Sequence, residues 1–331
     1  MVRWHRKAVA AGAAVVLVTA LAACSSSGGK QEEQGSSGSG SGVADTPRMK
    51  VALITHSGPG DTFWDIVRRG AEAAAKKDNI ELQYSSDPDG AAQANLVQTA
   101  IDAKVDGIAL TLNKPDAVIP NLKKAVAAGI PVTVLNGGLD SWKGTGAIGY
   151  FGQDERIAGQ ATGDKLKELG AKKVICVIHE QGNVSLEARC QGIKDKFGAV
   201  ENVNVNGTDQ PGTQATLTAK LQQDKNADYV VALNAGIALT AVTAAKGAGS
   251  AAKIASFDMS KEMAKAVQDG TVQFAVDQQP YLQGYLAVDA IWLNKTNGDT
   301  IGGGEATLTG PAFIDKTNIE AVAKYAAAGT R

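Results

Sequence analysis

From residue 49 onward, apolar runs alternate with segments whose apolar positions recur at helical spacing. The apolar runs predict buried strands at 51–55, 80–84, 107–112 and 131–135. Between them, the spacing predicts helices at 63–77, 91–104 and 116–128. Strands that are apolar on both faces and separated by helices are typical of a parallel sheet covered on both sides.

The same alternation restarts in the second half of the chain. Further strands are predicted at 174–178, 203–205, 229–233, 254–257 and 272–276. Helices are predicted at 157–169, 186–197, 215–223, 237–248, 262–268 and 281–293. Two open α/β lobes of similar build follow from this pattern. In such sheets ligands bind beyond the carboxyl ends of the strands, so the residues that follow each strand are the candidates for ligand contact.

The first 47 residues do not fit this pattern. Arg3, Arg6 and Lys7 precede an apolar run at 8–20 that is short for a membrane span. Leu21-Ala22-Ala23-Cys24 follows, which resembles the lipobox of bacterial lipoprotein signal peptides. The resemblance implies that 1–23 is a signal peptide and that Cys24 is lipidated. The alternative is an ordinary signal peptide with a chance cysteine.

The segment 24–47 is dominated by Ser, Gly and charged or amide residues, so it is predicted to be a flexible tether. The body of the protein is therefore expected outside the cell, on the outer face of the cytoplasmic membrane and anchored there by lipid. Removing the signal peptide takes three basic residues and no acid, which changes the net charge from −1 to −4. This balance argues against nucleic acid as a partner, because nucleic-acid binding needs a basic face.

The cysteine and histidine counts bound the chemistry further. The chain has three cysteines and three histidines, which argues against a four-cysteine zinc site and against a histidine-rich metal site. No cofactor is expected. Cys176 lies in a predicted strand and Cys190 on the next helix. Because a helix folds back along its strand, the two can meet, and a disulfide is permitted outside the membrane. The alternative is two buried thiols.

The residues that follow the predicted strands are mostly amides and carboxylates, with two aromatics at the first helix start. Amides and carboxylates hydrogen-bond to hydroxyl groups, and an aromatic face packs against the C–H face of a sugar ring. The pattern favours capture of a neutral polyhydroxylated molecule in a cleft. The candidate residues are Ser57, Asp61, Phe63, Trp64, Asn113, Asn136, Asn234, Asp258 and Gln278.

From residue 49 to about 316, the chain resembles the type I periplasmic sugar-binding proteins, and most closely the ribose-binding kind. The resemblance rests on the order and spacing of several short motifs. They are Val51-Ala52-Leu53-Ile54 with Phe63-Trp64, Asp106-Gly107-Ile108, Gly129-Ile130-Pro131-Val132, Glu187-Ala188-Arg189-Cys190-Gln191-Gly192, Ala232-Leu233-Asn234, Ser256-Phe257-Asp258 and Gln278-Gln279-Pro280 followed by Gly284.

This resemblance implies the type I periplasmic binding protein fold, an α/β fold of two doubly wound parallel-sheet lobes joined by a three-segment hinge. It places the first lobe at 48–150 with 279–305, the second at 151–278 with 306–320, and a C-terminal tail at 321–331. The chain is expected to cross between lobes near 150–153, 277–279 and 305–308.

The resemblance also implies roles for single residues. Ser57 and Asp61 fall where the family hydrogen-bonds its sugar, and Phe63 and Trp64 fall where it stacks aromatics. The match to the family pattern is direct at Asn234, Asp258 and Gln278.

Three positions depart from the ribose-type pattern. Asn136 stands where that pattern has Asp, and Gly137 and Glu187 stand where it has Arg at ligand-contacting positions. Glu187 is therefore the tenth candidate ligand residue. Fewer donors argue against ribose itself. They favour another pentose, a hexose, a polyol or an amino-bearing ligand.

Several candidate residues also have a plain structural interpretation. Asp258 and Asn234 can instead cap the helices that follow them, and Trp64 and Phe63 can belong to the core. Trp142 either lines the cleft or covers a loop. The expected structural residues are Arg189, on the helix, and the loop histidines His56 and His179. Asp277 is expected at a helix cap or the hinge.

We expect a substrate-binding protein, not an enzyme. It would be a monomer whose lobes close on a sugar or polyol and whose closed form is read by an ABC permease with its ATPase. A sensory binding protein for a membrane receptor has the same fold and remains an alternative. A glycosidase is a further alternative, because Asp61 and Asp258 could serve as its two carboxylates.

Overall fold

The structure, a computed structural model, describes residues 42–58 and 60–331. The signal peptide, Cys24 and most of the predicted tether lie outside the described residues. The strands are β1 Met49–Thr55, β2 Ile80–Ser86, β3 Gly107–Thr111, β4 Val132–Asn136, β5 Gly149–Gly152, β6 Val174–Ile178, β7 Val200–Asn204, β8 Tyr229–Ala232, β9 Lys253–Phe257, β10 Val272–Asp277, β11 Thr307–Leu308 and β12 Ala312–Asp315.

The helices alternate with these strands along the chain. They are α1 Thr62–Lys77, α2 Gly90–Asp102, α3 Pro115–Ala127, α4 Glu155–Glu168, α5 Val184–Phe197, α6 Gln210–Gln223, α7 Ala235–Ala248, α8 Lys261–Asp269, α9 Pro280–Asn297 and α10 Ile319–Ala328. Within the described residues, no helix combines the length and the apolarity that crossing a membrane requires.

The first lobe is built on a parallel sheet with strand order β11-β5-β4-β3-β1-β2. Its central strands β3 and β4 are buried along their whole length, as expected for a sheet that is covered on both faces. One apolar cluster packs β1 against α1 and α9, and a second packs the other face against α2 and α3. The predicted doubly wound sheet is therefore present.

The second lobe repeats this arrangement, with strand order β12-β10-β9-β8-β6-β7. All its pairs are parallel except β10 with the edge strand β12, which is antiparallel. A disulfide joins Cys176 in β6 to Cys190 in α5. It ties the sheet to the helix that carries part of the cleft wall.

The chain crosses between the lobes three times, at the ends of β5, β10 and β11. After β10 it returns to the first lobe, where α9 packs on α1 and on β4. The third crossing differs from the expected 305–308, because β11 pairs with β5 in the first sheet. The chain leaves that sheet only after Leu308 and enters the second with β12.

The expected tail at 321–331 is a second difference. Residues 319–328 form α10, which packs on α8, and Val322 and Ala326 are buried in the core of the second lobe. The sequence prediction had no helix in this segment, although its buried residues Ile319, Val322 and Ala326 recur at helical spacing. Beyond it, Arg331 donates to the Asp277 carboxylate at the end of β10 at 2.5 Å.

Side chains just after the strands start most of the helices. An Asp, Asn or Ser accepts a hydrogen bond from a backbone N–H of the first helical turn, which otherwise lacks a partner. The capping residues are Asp61, Asp89, Asp154, Asn183, Asp209, Asn234 and Ser260. Asp61, Asn183 and Asn234 also face the space between the lobes, so the residues that start these helices furnish part of the cleft.

Candidate functional site

The carboxyl ends of both sheets face a cavity of about 730 Å³ between the lobes. Eight of the ten predicted ligand residues line it. They are Asp61, Phe63, Trp64, Asn113 and Asn136 from the first lobe, Asn234 and Asp258 from the second, and Gln278 from the second crossing. As the topological rule for open α/β sheets predicts, residues at the strand ends line one cavity.

Asp61 and Asn234 face each other across the lobe boundary. The Asn234 amide donates to Asp61 Oδ1 at 3.1 Å, while its own oxygen caps α7. Asp61 Oδ1 also accepts from the backbone of Phe63 and so caps α1. The capping and cavity-lining interpretations of Asn234 are thus compatible, because its amide has a donor end and an acceptor end.

A buried network links the other amides. Gln278 donates to Asp258 Oδ1 at 2.7 Å and accepts from Asn136 Nδ2 at 3.0 Å. Asp258 does not cap the following helix, since Ser260 does so. The chain from Asn136 through Gln278 to Asp258 joins the first lobe, the hinge and the second lobe at the cavity wall.

Aromatic rings form one side of the cavity. Trp64 meets Phe63 edge to face, with ring centroids 5.0 Å apart, and meets His56 in the same way at 4.7 Å. Phe63 and Trp64 also belong to the core of the first lobe, so they are core residues that line the cavity. Trp142 lies in the core beside Tyr150 and not at the cavity, which agrees with its structural interpretation.

A guanidinium lies in the cavity wall where the sequence indicated a structural residue. Arg189, only 3% exposed, binds both carboxylate oxygens of Glu155, at 2.6 and 2.9 Å, and donates to the Leu233 carbonyl at 3.1 Å. Its charged end also lies 4.8 Å from the centre of the Phe257 ring. Three of its five N–H groups are thereby used, and two remain for the cavity.

Two predicted site residues do not line the cavity. The Ser57 hydroxyl donates to the Gly58 carbonyl at 3.1 Å, and its neighbour His56 lines the wall instead. Glu187 is exposed on the solvent side of α5. The buried stripe of α5 comprises Leu186, Arg189, Cys190 and Ile193. Glu187 therefore does not line the cavity. Arg189, two residues further along α5, lines it instead.

The helical spacing could have located Arg189. An arginine within an apolar i, i+3, i+4, i+7 stripe is buried and needs an acidic partner. The other departure, Gly137, has a clear steric basis. A Cβ at this position would overlap the Asn113 carboxamide, so glycine keeps room for that amide.

The cleft is closed in this structure, and polar contacts join its two edges. Val184 donates its backbone N–H to the Asn113 carbonyl at 3.2 Å, and the Asn113 amide donates to Ser185 at 3.1 Å. Lys114 in the first lobe pairs with Glu180 in the second at 2.9 Å. Each of these contacts joins groups on opposite lobes, so opening the cleft separates them.

Burial shifts the ionisation of the cavity groups. It raises the pKa of Asp258 to about 7 and raises the pKa of Asp61 above its ordinary value. Burial lowers the pKa of both His56 and His179 to about 4, so these rings are neutral at pH 7. Within the described residues, no group of three or more Cys, His, Asp or Glu side chains is placed to hold a metal ion.

With the geometry established, comparison with known proteins identifies the family. The periplasmic binding protein domain matches residues 51–298. The chain belongs to the type I periplasmic sugar-binding proteins. Among curated members of this family, the xylose/arabinose-binding protein XylF of Sulfolobus acidocaldarius is 25% identical over 299 residues, which is 84% of this chain and 74% of XylF. The D-ribose/D-allose-binding protein of Pseudomonas aeruginosa is 26% identical over 253 residues, 71% of this chain and 79% of that protein.

A solved structure of this fold is much more similar. It is a carbohydrate transporter from Acidothermus cellulolyticus 11B in complex with myo-inositol, with 55% sequence identity and a TM-score of 0.85. The match covers 86% of this chain and all of that one. These relatives are two sugar-binding proteins and a carbohydrate transporter.

Proposed function

We propose that the protein is a lipid-anchored solute-binding protein that captures a ring polyol of the myo-inositol type between its closing lobes. It delivers this ligand to an ABC permease and its ATPase, and it works as a monomer on the outer face of the cytoplasmic membrane. The anchor is Cys24, which lies outside the described residues.

The observation that carries the ligand assignment is the polar wall of the cavity, taken with the 55% identical carbohydrate transporter in complex with myo-inositol. Each hydroxyl of a cyclitol both donates and accepts, and none is charged. Asp258 and Asp61 offer acceptors, the free N–H groups of Arg189 offer donors, and amides offer both. The rings of Phe63 and Trp64 pack against a C–H face of the ligand.

Ligand binding favours closure because the wall is divided between the lobes. Asp61, Asn113 and Asn136 lie on one side, and Arg189 and Asp258 lie on the other. A ligand that touches both sides makes its full set of hydrogen bonds only in the closed form, so it shifts the equilibrium toward that form. The permease reads the closed pair of lobes.

Calorimetric titration of the ligand-free protein tests the assignment. We expect myo-inositol to bind more tightly than D-ribose, D-xylose or D-allose. Replacing Asp258 by Ala should weaken the binding of myo-inositol by about tenfold or more, because a charged hydrogen-bond acceptor is lost. The matched control is Glu187→Ala, whose exposed side chain faces away from the cavity. Equal affinity of Asp258→Ala and the parent protein would contradict the proposed role.

The anchor and the transport role need separate tests. A Cys24→Ala precursor should incorporate no labelled fatty acid and should appear in the medium instead of the membrane fraction. Deleting the gene should abolish uptake of labelled myo-inositol at micromolar concentration. Unchanged uptake together with a lost transcriptional response to myo-inositol would instead identify a sensory binding protein.

A further inference from the structure

The charges around the cavity do not balance. Two ion pairs cancel within themselves, Arg189 with Glu155 and Lys114 with Glu180. Apart from Asp209, which is exposed at the cavity rim, two carboxylates then remain, those of Asp61 and Asp258. Among the described residues neither has a lysine, arginine or histidine within ion-pairing distance. The space between the lobes therefore holds two acidic groups with no cation to match them.

The partners of these carboxylates are neutral. Asp61 accepts from the Asn234 amide and a backbone N–H, and Asp258 accepts from the Gln278 amide. The carboxamide oxygen of Asn113, a residue that is only 1% exposed, lacks a hydrogen-bond partner among the described residues. The wall thus offers acceptor oxygens of Asp61, Asp258 and Asn113, and burial makes an uncompensated negative charge costly.

We propose that this site binds cationic aminocyclitols, which are ring polyols with one hydroxyl replaced by an ammonium group, more tightly than the neutral cyclitol. This inference rests on the proposed function and names a narrower ligand class for the same cavity. An ammonium group carries three N–H donors and no acceptor, whereas a hydroxyl carries one donor. The ammonium group supplies a positive charge beside the Asp61 and Asp258 carboxylates and donates hydrogen bonds to acceptors such as the Asn113 carboxamide oxygen.

The ionisation of the cavity supports this inference. Burial raises the pKa of Asp258 to about 7. The Arg189 guanidinium and the Gln278 hydrogen bond oppose this rise, and the Asp61 carboxylate adds to it. A bound ammonium stabilises the charged form and opposes this effect. Below pH 7 the cation must first displace a proton from Asp258, so the preference for the amine should fall as the pH decreases through 7.

Other charged groups around the cavity do not reproduce this pH dependence. The two histidines that line the cavity are neutral above pH 5, because burial lowers their pKa to about 4. The charged and titratable groups around Asp61 and Asp258 are Arg189, Glu155, Lys114, Glu180, His56, His179, Asp65 on α1 and Asp209 at the cavity rim.

The test is a calorimetric comparison of myo-inositol with the set of its monoamino analogues and the corresponding deoxy analogues, at pH 7.5 and 5.5. At pH 7.5 at least one amine should bind about tenfold or more tightly than myo-inositol, by the gain expected for a charge-assisted hydrogen bond at a partly desolvated site. It should also bind more tightly than its deoxy analogue. At pH 5.5 the preference should shrink.

Variants assign the preference to the two carboxylates. Asp258→Asn and Asp61→Asn keep the shape of the side chain, and Asn also caps a helix, so both variants should fold. In each, the affinity ratio of amine to myo-inositol should fall several-fold. Glu187→Gln is the control: it removes one negative charge from the exposed side of α5 and should leave the ratio unchanged.

The outcomes separate this inference from the proposed function. If myo-inositol binds and no amine binds more tightly, the amine preference is overturned and the cyclitol assignment stands. An amine preference that survives both Asn variants also overturns it. If no compound binds, myo-inositol included, the proposed ligand is wrong and the inference fails with it.

Discussion

The ion pair between Glu155 and Arg189 gives the sharpest prediction about what holds the second lobe together. Glu155 starts α4 and Arg189 lies on α5, and their side chains are only 6% and 4% exposed. Glu155 also accepts from Gln153 at 2.8 Å. Replacing Glu155 by Ala leaves a buried guanidinium with the Leu233 carbonyl as its remaining hydrogen-bond partner in this group.

The expected cost follows from burial, not from distance. Removing one member of a buried ion pair destabilises a protein by about 3–5 kcal/mol, because the other charge stays buried without compensation. A second pair joins the same two helices at the same separation. Arg156 and Asp195 lie 2.6 Å apart but are 53% and 24% exposed. For an exposed pair, water replaces the lost partner, so Asp195→Ala should cost little.

Urea denaturation of the ligand-free proteins measures this difference. Glu155→Ala should lower the midpoint strongly with an unchanged m-value, and Asp195→Ala should leave it nearly unchanged. The double variant Glu155→Ala with Arg189→Met should recover part of the loss, since it removes the stranded charge. Equal effects of the two single substitutions would refute the reasoning from burial.

Three further predictions concern stability. Replacing both Cys176 and Cys190 by Ala should lower the free energy of unfolding by about 3 kcal/mol in the chain-entropy account of a loop of this length, and an unchanged urea midpoint would count against it. Gly284→Ala should cost about 1–3 kcal/mol, because the added methyl would overlap the Val67 carbonyl where α9 crosses α1; thermal unfolding would show it. The folded-state pKa of Asp258, about 7 against an ordinary 3.8, means that its stabilising contribution is present below pH 4 and is lost as the pH rises through 7. Between pH 5 and pH 8, the Tm of the parent protein should therefore fall relative to the Tm of Asp258→Asn. Parallel Tm profiles of the two proteins against pH would contradict this titration of Asp258.

The element order could be predicted because the central strands of both sheets are apolar on both faces and most helices begin at a capping side chain. The failures lie where this signal is weak. β11 has two residues, and β12 is a four-residue edge strand that is only partly buried. Their membership of a sheet depends on pairing with β5 and β10 far away in the sequence. No local pattern encodes such pairing, so the third crossing was expected too early.

The site was predictable to the level of strand ends but not of side-chain direction. Asn136, Asn234 and Asp258 lie at the ends of β4, β8 and β9, and Asp61 lies in the loop after β1; topology alone brings such positions together. Glu187 lies inside a helix, where a shift of two residues turns a side chain from the cavity to solvent. The contacts between Lys114 and Glu180 at the cleft edge depend on how the lobes close, which no single segment encodes.

The three crossings also set the order in which the protein can fold. α9 and β11 complete the helix layer and the edge of the first lobe, yet they follow almost the whole second lobe in the chain. Contacts between segments so far apart form late, because a long loop must close first. A polypeptide that emerges N-terminus first therefore exposes the α1 face of its first lobe until residue 297 is available. For a protein that we propose is exported, this delay keeps the chain unfolded while it is threaded through the membrane.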